Sequence, residues 1–208
     1  MKIKARKQRY KEIISASDKD LNACVIELAE SYLKDFPDSQ GVWDMYSLAL
    51  YRIDRFKDAK KALNKLISLI KETNNQEQLS WLYCRMGTIY EDSGHFRRAV
   101  EWFEKAHEAN PTEATFLIYK GVKLLRLEKY DDAVEVLTKA TKCKEGFIDE
   151  AFYNLGIALL IQRNYADAKM YFEKALEIDP KYKEAKQQLK DVKKVLEILE
   201  QNNSASLV

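Results

Sequence analysis

Residues 150–182 read EAFYNLGIALLIQRNYADAKMYFEKALEIDPKY. Apolar and small side chains recur here at helical spacing in two blocks. Phe152, Leu155, Gly156 and Leu159 form the first; Ala168, Phe172 and Ala175 form the second, with Tyr165 leading into it and Pro180 closing it. Two short helices must therefore pack back to back. The glycine in the first helix and the alanines in the second let the backbones approach, while larger residues fill the space above and below.

The same columns recur upstream. Gly121 lies 35 residues before Gly156, Gly87 another 34 before that, and Ser47 a further 40. The excess in the last interval falls in KETNNQEQ at 71–78, where polar turn residues predict a longer loop or extended helix ends. Alanines follow in the second-helix column at Ala59, Ala99, Ala133 and Ala168. This resembles the tetratricopeptide repeat, whose W-x2-L-G-x2-Y … A-x3-F … P pattern is met as Phe152-x2-Leu155-Gly156-x2-Leu159 … Ala168-x3-Phe172 … Pro180. The unit at 114–147 departs from the pattern at Lys120, where leucine is usual, and at Glu145, where proline is usual. The resemblance implies an all-α right-handed superhelix, a solenoid of helix-turn-helix repeats forming a single domain over 1–201. It would comprise a degenerate repeat at 6–39, repeats at 40–73, 80–113, 114–147 and 149–182, a capping helix at 181–201 and a flexible tail at 202–208. The first unit has Arg9 and Ile13 where the small residue and aromatic belong, as terminal units of solenoids often do.

Composition agrees with a helical chain and narrows the function. Only six Gly and three Pro stand beside 46% hydrophobic and 33% charged residues in 208. A net charge of +2 gives no global field for nucleic acid or acidic membranes. Cys24, Cys84 and Cys143 are odd in number and far apart, so neither a disulfide framework nor a metal site is expected, and a reducing compartment, the cytoplasm, fits. The basic amino terminus lacks the apolar run of a secretory signal, and no window has the roughly 18 apolar residues of a membrane span.

No catalytic constellation is present. His95 falls in an interhelix turn and His107 late in a helix, neither beside a nucleophile motif, and every glycine is isolated, so no phosphate loop exists. No enzyme activity and no cofactor are expected. In the resembled family the first helices of successive units line a concave groove that holds peptides. Carried over, the groove residues are Asp44, Met45, Leu48, Tyr51 and Arg52, then Trp81, Cys84, Arg85, Thr88 and Asp92. Ile118, Tyr119, Val122 and Arg126 follow, then Tyr153, Asn154, Ile157 and Ile161, with Asn154 the expected reader of a peptide backbone. Aromatic and apolar side chains dominate this row, which points to a protein or peptide partner held by a scaffold or adaptor. The alternative is a chaperone for a secreted or assembling protein. An RNA-binding array would need more than three arginines offset by Asp44 and Asp92.

The chaperone-tail clamp of the family is not matched: its lysines and asparagines are replaced by Asp44 and Leu48, Arg85, and Thr115 and Tyr119. Three peripheral signals remain. The first eleven residues carry six Lys or Arg and no acid, a solvated helix start or a contact for phosphates or acidic protein. The terminal helix ends in Val195, Leu196, Ile198 and Leu199, a surface for homodimerisation. Ser206-Leu207-Val208 has the form of a PDZ ligand.

Overall fold

The structure, a computed structural model, describes residues 2–205, and eleven α-helices account for most of them. They are α1 (Lys2–Asp18), α2 (Asn22–Asp35), α3 (Gln40–Arg52), α4 (Phe56–Lys71), α5 (Gln76–Asp92), α6 (Phe96–Ala109), α7 (Ala114–Arg126), α8 (Tyr130–Ala140), α9 (Ile148–Ile161), α10 (Tyr165–Ile178) and α11 (Lys183–Ala205). The fold is all-α and of the helical-repeat solenoid class. The excess residues at 71–78 are absorbed by extended helix ends: α4 and α5 have 16 and 17 residues, with Glu72–Asn75 between them.

One turn is used five times. Asp20, Asp54, Gly94, Glu128 and Arg163 all have positive φ. Each donates its N–H three residues back, and the next residue donates five residues back, as in Asp54 to Tyr51 and Arg55 to Leu50, both 3.0 Å. That double closure satisfies the last carbonyls of the first helix and reverses the chain. It also occurs at Asp20, so α1 and α2 are joined by the same turn as the later helix pairs despite the weak sequence pattern there. Two second helices end where proline disfavours helix: Asp179, before Pro180, is extended, and Phe36, before Pro37, has left the helical region at φ −135° and ψ 67°.

Packing divides the chain into two compact units, Met1–His95 and Phe96–Val208. In the first, α1 packs on α2 and α3, α2 on α3, α3 on α4 and α4 on α5. Ser47 occupies the small column with no exposed surface, and its hydroxyl donates to the Asp44 carbonyl at 2.9 Å. Leu50, Leu63, Leu66 and Ile70 of α3 and α4 are likewise fully buried.

In the second unit α7 packs on α6, α8 and α9, α9 on α8 and α10, and α10 on α11. Here the tiny residues do what their spacing predicts. A Cβ built on Gly121 would lie 2.5 Å from Leu137 Cγ, and one on Gly156 would lie 2.6 Å from a ring carbon of Phe172. The two departures from the repeat pattern are each compensated. Lys120 pairs with Glu104 on α6. Where proline is missing at Glu145, the 141–147 loop bridges back to the preceding turn: Ala114 N–H donates to the Glu145 carbonyl at 3.0 Å and Glu145 N–H to the Thr112 carbonyl at 3.1 Å. Helix α11 buries Ala185 and Val192 and runs to Ala205, past the expected end at 201, with Ile198 and Leu199 exposed. The tripeptide Ser206-Leu207-Val208 lies outside the described residues.

Candidate functional site

In the first unit the candidate residues lie on α3 and α5. Cross-helix polar ties join these helices at both ends. Asp44 on α3 pairs with Arg85 on α5, and the Tyr51 hydroxyl donates to Asp92 Oδ2 at 2.5 Å. The bond to Asp92, then burial, pushes the Tyr51 phenol up to about 12, so it remains a donor. Arg52 pairs with Asp20 in the first interhelix turn. Arg85 and Arg52, expected to face a partner, are therefore occupied by carboxylates of their own unit. Met45, Leu48 and Thr88 are half-buried, and Cys84 is closed off at 5% exposure. Trp81 is 45% exposed, an unusual setting for so large a ring.

In the second unit the candidates lie on α7 and α9, which touch each other. Ile118 must be removed from the binding set. At 1% exposure it belongs to a core with Leu117, Leu124, Ala133 and Ala151, because α7 is packed on three neighbouring helices rather than two. Tyr119 is 38% exposed, its ring edge-on to Phe103 at 5.5 Å. Val122 and Ile157 are half-buried against the core clusters. Arg126 places its guanidinium 4.7 Å from the Phe96 ring centroid.

Tyr153 is wedged between Phe172 at 5.9 Å and Tyr182 at 4.9 Å, so the segment entering α11 covers part of it. Burial, then the Glu184 carboxylate, raises its phenol above the ordinary value. Asn154 donates to the Glu150 carbonyl of its own helix at 2.9 Å, which uses one of its two amide N–H groups. Glu150 itself is raised above the usual carboxylate range by burial and then by Asp149.

The sequence reading missed the pairing logic of this surface. Asp44 with Arg85 and Tyr51 with Asp92 are each separated by 41 residues, close to the local repeat interval, so an alignment of columns would have set the partners side by side. Among the described residues no group of three His, Cys, Asp or Glu could hold a metal ion. His107 is held below its ordinary pKa chiefly by burial, and His95 lies 3.2 Å from the Ser93 hydroxyl with its ring edge-on to Tyr90. No helix among the described residues is long and apolar enough to cross a membrane.

Comparison with known proteins follows the repeats. Residues 149–182 match the family described as Tetratricopeptide repeat, and residues 15–130, more than half of the chain, match that described as MAP3K TRAFs-binding domain. The chain is similar to Tetratricopeptide repeat protein 13 of Homo sapiens, 30% identical over 122 residues, which cover 59% of this chain but 13% of that protein. It shares its fold with YrrB, described as a TPR protein with an unusual peptide-binding site, at a TM-score of 0.65 and 18% identity over 86% of this chain and 88% of the other. It is also similar in fold to the first TPR of Spaghetti (RPAP3), solved bound to the HSP90 peptide SRMEEVD. There the TM-score is 0.54 and the identity 22%, over 58% of this chain and 94% of that one.

Proposed function

Because the chain belongs to the tetratricopeptide-repeat family and, through residues 15–130, to that of the MAP3K TRAFs-binding domains, we propose that it is a non-catalytic protein-binding scaffold. Its working surfaces are the first-helix walls, and its partner is an extended or helical peptide with apolar anchors. The observation that carries this is the exposure of Trp81 and Tyr119, at 45% and 38%, on first helices of successive repeats, one in each unit. Rings of that size left in water are the usual anchors of an interface. Met45 and Tyr51 on α3 would support Trp81 in the first unit, and Val122, Arg126, Tyr153, Asn154 and Ile157 on α7 and α9 would support Tyr119 in the second. The peptide partners of YrrB and RPAP3 make the same class of ligand reasonable here.

Acidic chaperone tails are not the partner on this reading. Asp44 would repel a terminal carboxylate, Arg85 is already paired with it, and Thr115 is buried at 3% exposure. The chain is read as cytoplasmic, with homodimerisation through Ile198 and Leu199 as a secondary mode. Affinity capture with the wild type beside a Trp81→Ala, Tyr119→Ala double variant tests the proposal, with circular dichroism to show that both baits are folded. Proteins held by the wild type and lost by the variant are expected. If both baits recover the same proteins equally, the walls are not the binding surface.

A further inference from the structure

The basic amino-terminal helix is unused by the wall-binding reading, and it borders a cavity of its own. Between α1 and the α2–α3 turn lies a hollow of about 320 Å³ lined by Arg6, Lys7, Tyr10, Tyr32 and Ser39, with no carboxylate among the described lining residues. Arg6 is held in position: its Nε donates to the Tyr32 hydroxyl at 3.2 Å and its guanidinium carbon stands 4.6 Å from the Phe36 ring centroid. That leaves its two terminal nitrogens for a ligand. Lys7 is exposed and has no salt-bridge partner among the described residues, whereas Arg9, further along the same helix, is already tied to Asp35 at 2.6 Å. The Ser39 hydroxyl precedes α3 without capping it. The Tyr10 hydroxyl is seated where a Cβ on residue 41 would lie 2.5 Å away, so Gly41 is what allows it to be there.

We propose that this cavity binds the phosphate of a phosphorylated side chain on a protein partner. Two cations and three hydroxyls, those of Tyr10, Tyr32 and Ser39, line a hollow large enough for a phosphate and part of its side-chain stem. A phosphomonoester carries about −1.5 to −2 charges and three acceptor oxygens, which match this donor set better than a carboxylate does. Single-stranded RNA fits less well, because it needs successive exposed ring faces for base stacking, whereas Tyr32 is 2% exposed and Tyr10 is half-buried with its hydroxyl against Gly41. The inference stands independently of the first-helix walls, since none of its residues belongs to them.

The test is fluorescence anisotropy with a labelled peptide pool that has one fixed phosphoserine and degenerate flanks. It is run beside the unphosphorylated pool, a glutamate pool, inorganic phosphate as competitor and a labelled oligouridylate. Lys7→Glu is compared with Lys11→Glu, an exposed change on the same helix outside the cavity lining. The phosphorylated pool should bind better than the other two, and Lys7→Glu should weaken it at least about tenfold, the scale of one lost charge-assisted bond, with a much smaller effect from Lys11→Glu. Binding should also weaken as pH falls through about 6, where the phosphate takes its second proton. Equal binding of phosphorylated and unphosphorylated pools, equal losses in the two variants, inorganic phosphate competing as well as the peptide, or tighter binding of the oligouridylate would each overturn the proposal.

Discussion

Replacing Gly156 by alanine isolates the interhelical approach on which the repeat depends. Two effects oppose each other. Within α9 alanine is favoured over glycine by about 1 kcal/mol on helix propensity. The new Cβ, however, would stand 2.6, 2.8 and 3.0 Å from three carbons of the Phe172 ring, where ordinary contact begins near 3.5 Å. Phe172 has no exposed surface and lies in a cluster with Leu137, Leu155 and Ala168, so the ring has nowhere to swing and the helices must part. Overpacking of this kind costs about 1–3 kcal/mol, and a rigid, enclosed ring belongs in the upper half of that range. A net loss of about 1–2 kcal/mol is expected. Urea denaturation followed by far-ultraviolet circular dichroism measures it, as a lower midpoint at unchanged slope. Adding Phe172→Leu supplies a smaller, more flexible neighbour, so the loss in the double variant should fall short of the sum of the two single losses by at least about 0.5 kcal/mol. A Gly156→Ala protein stabilised by about 1 kcal/mol, with strictly additive behaviour in the pair, would refute the close approach of α9 and α10 at this point.

Two further outcomes are expected. Glu128 holds φ at +60° in the turn between α7 and α8, a strain of roughly 1–2 kcal/mol for a residue with a side chain. Glu128→Gly should therefore raise the thermal midpoint, and a fall would show that the side chain contributes more than the strain costs. Tyr51 has its phenol raised from 10 to about 12 in the folded chain. Its contribution is complete below pH 10 and is lost as pH rises through about 12. Tyr51→Phe should flatten this part of the alkaline fall in thermal midpoint, and an identical alkaline slope in both proteins would contradict the link to Asp92.

The helix pairs were legible because their signal is local: Gly121, Gly156, Ala133 and Ala168 sit at fixed helical offsets, and each small side chain marks a crossing. The shared turn was not legible, since Asp20, Asp54, Glu128 and Arg163 adopt the left-handed conformation without being glycine. Tertiary geometry imposes that φ and the residue type does not announce it. The candidate walls were legible only as columns. A column tells which side of a first helix faces outward from its own pair, but not how much of that side the next helix takes. Ile118 was lost to the core for this reason, and Tyr153 was partly covered by Tyr182. Nor does a column show pairing: Arg52 and Arg85 meet carboxylates of their own unit, Asp20 and Asp44, which lie in other helices or turns.

The bridge between Glu113 and Glu145 bears on how such a chain could grow or shrink. Gly146, at φ +88°, lets the Glu113 carboxylate lie against the backbone there, where a Cβ would come within 2.0 Å of Oε1, and that carboxylate also accepts from Thr115 N–H and hydroxyl. Excising the segment 114–147 as a block would rejoin the chain but strip this buried acid of its wall. The loops on either side of the fourth hairpin, α7–α8, are thus tied to each other, so that hairpin cannot be taken out without breaking a closure that reaches past both of its ends.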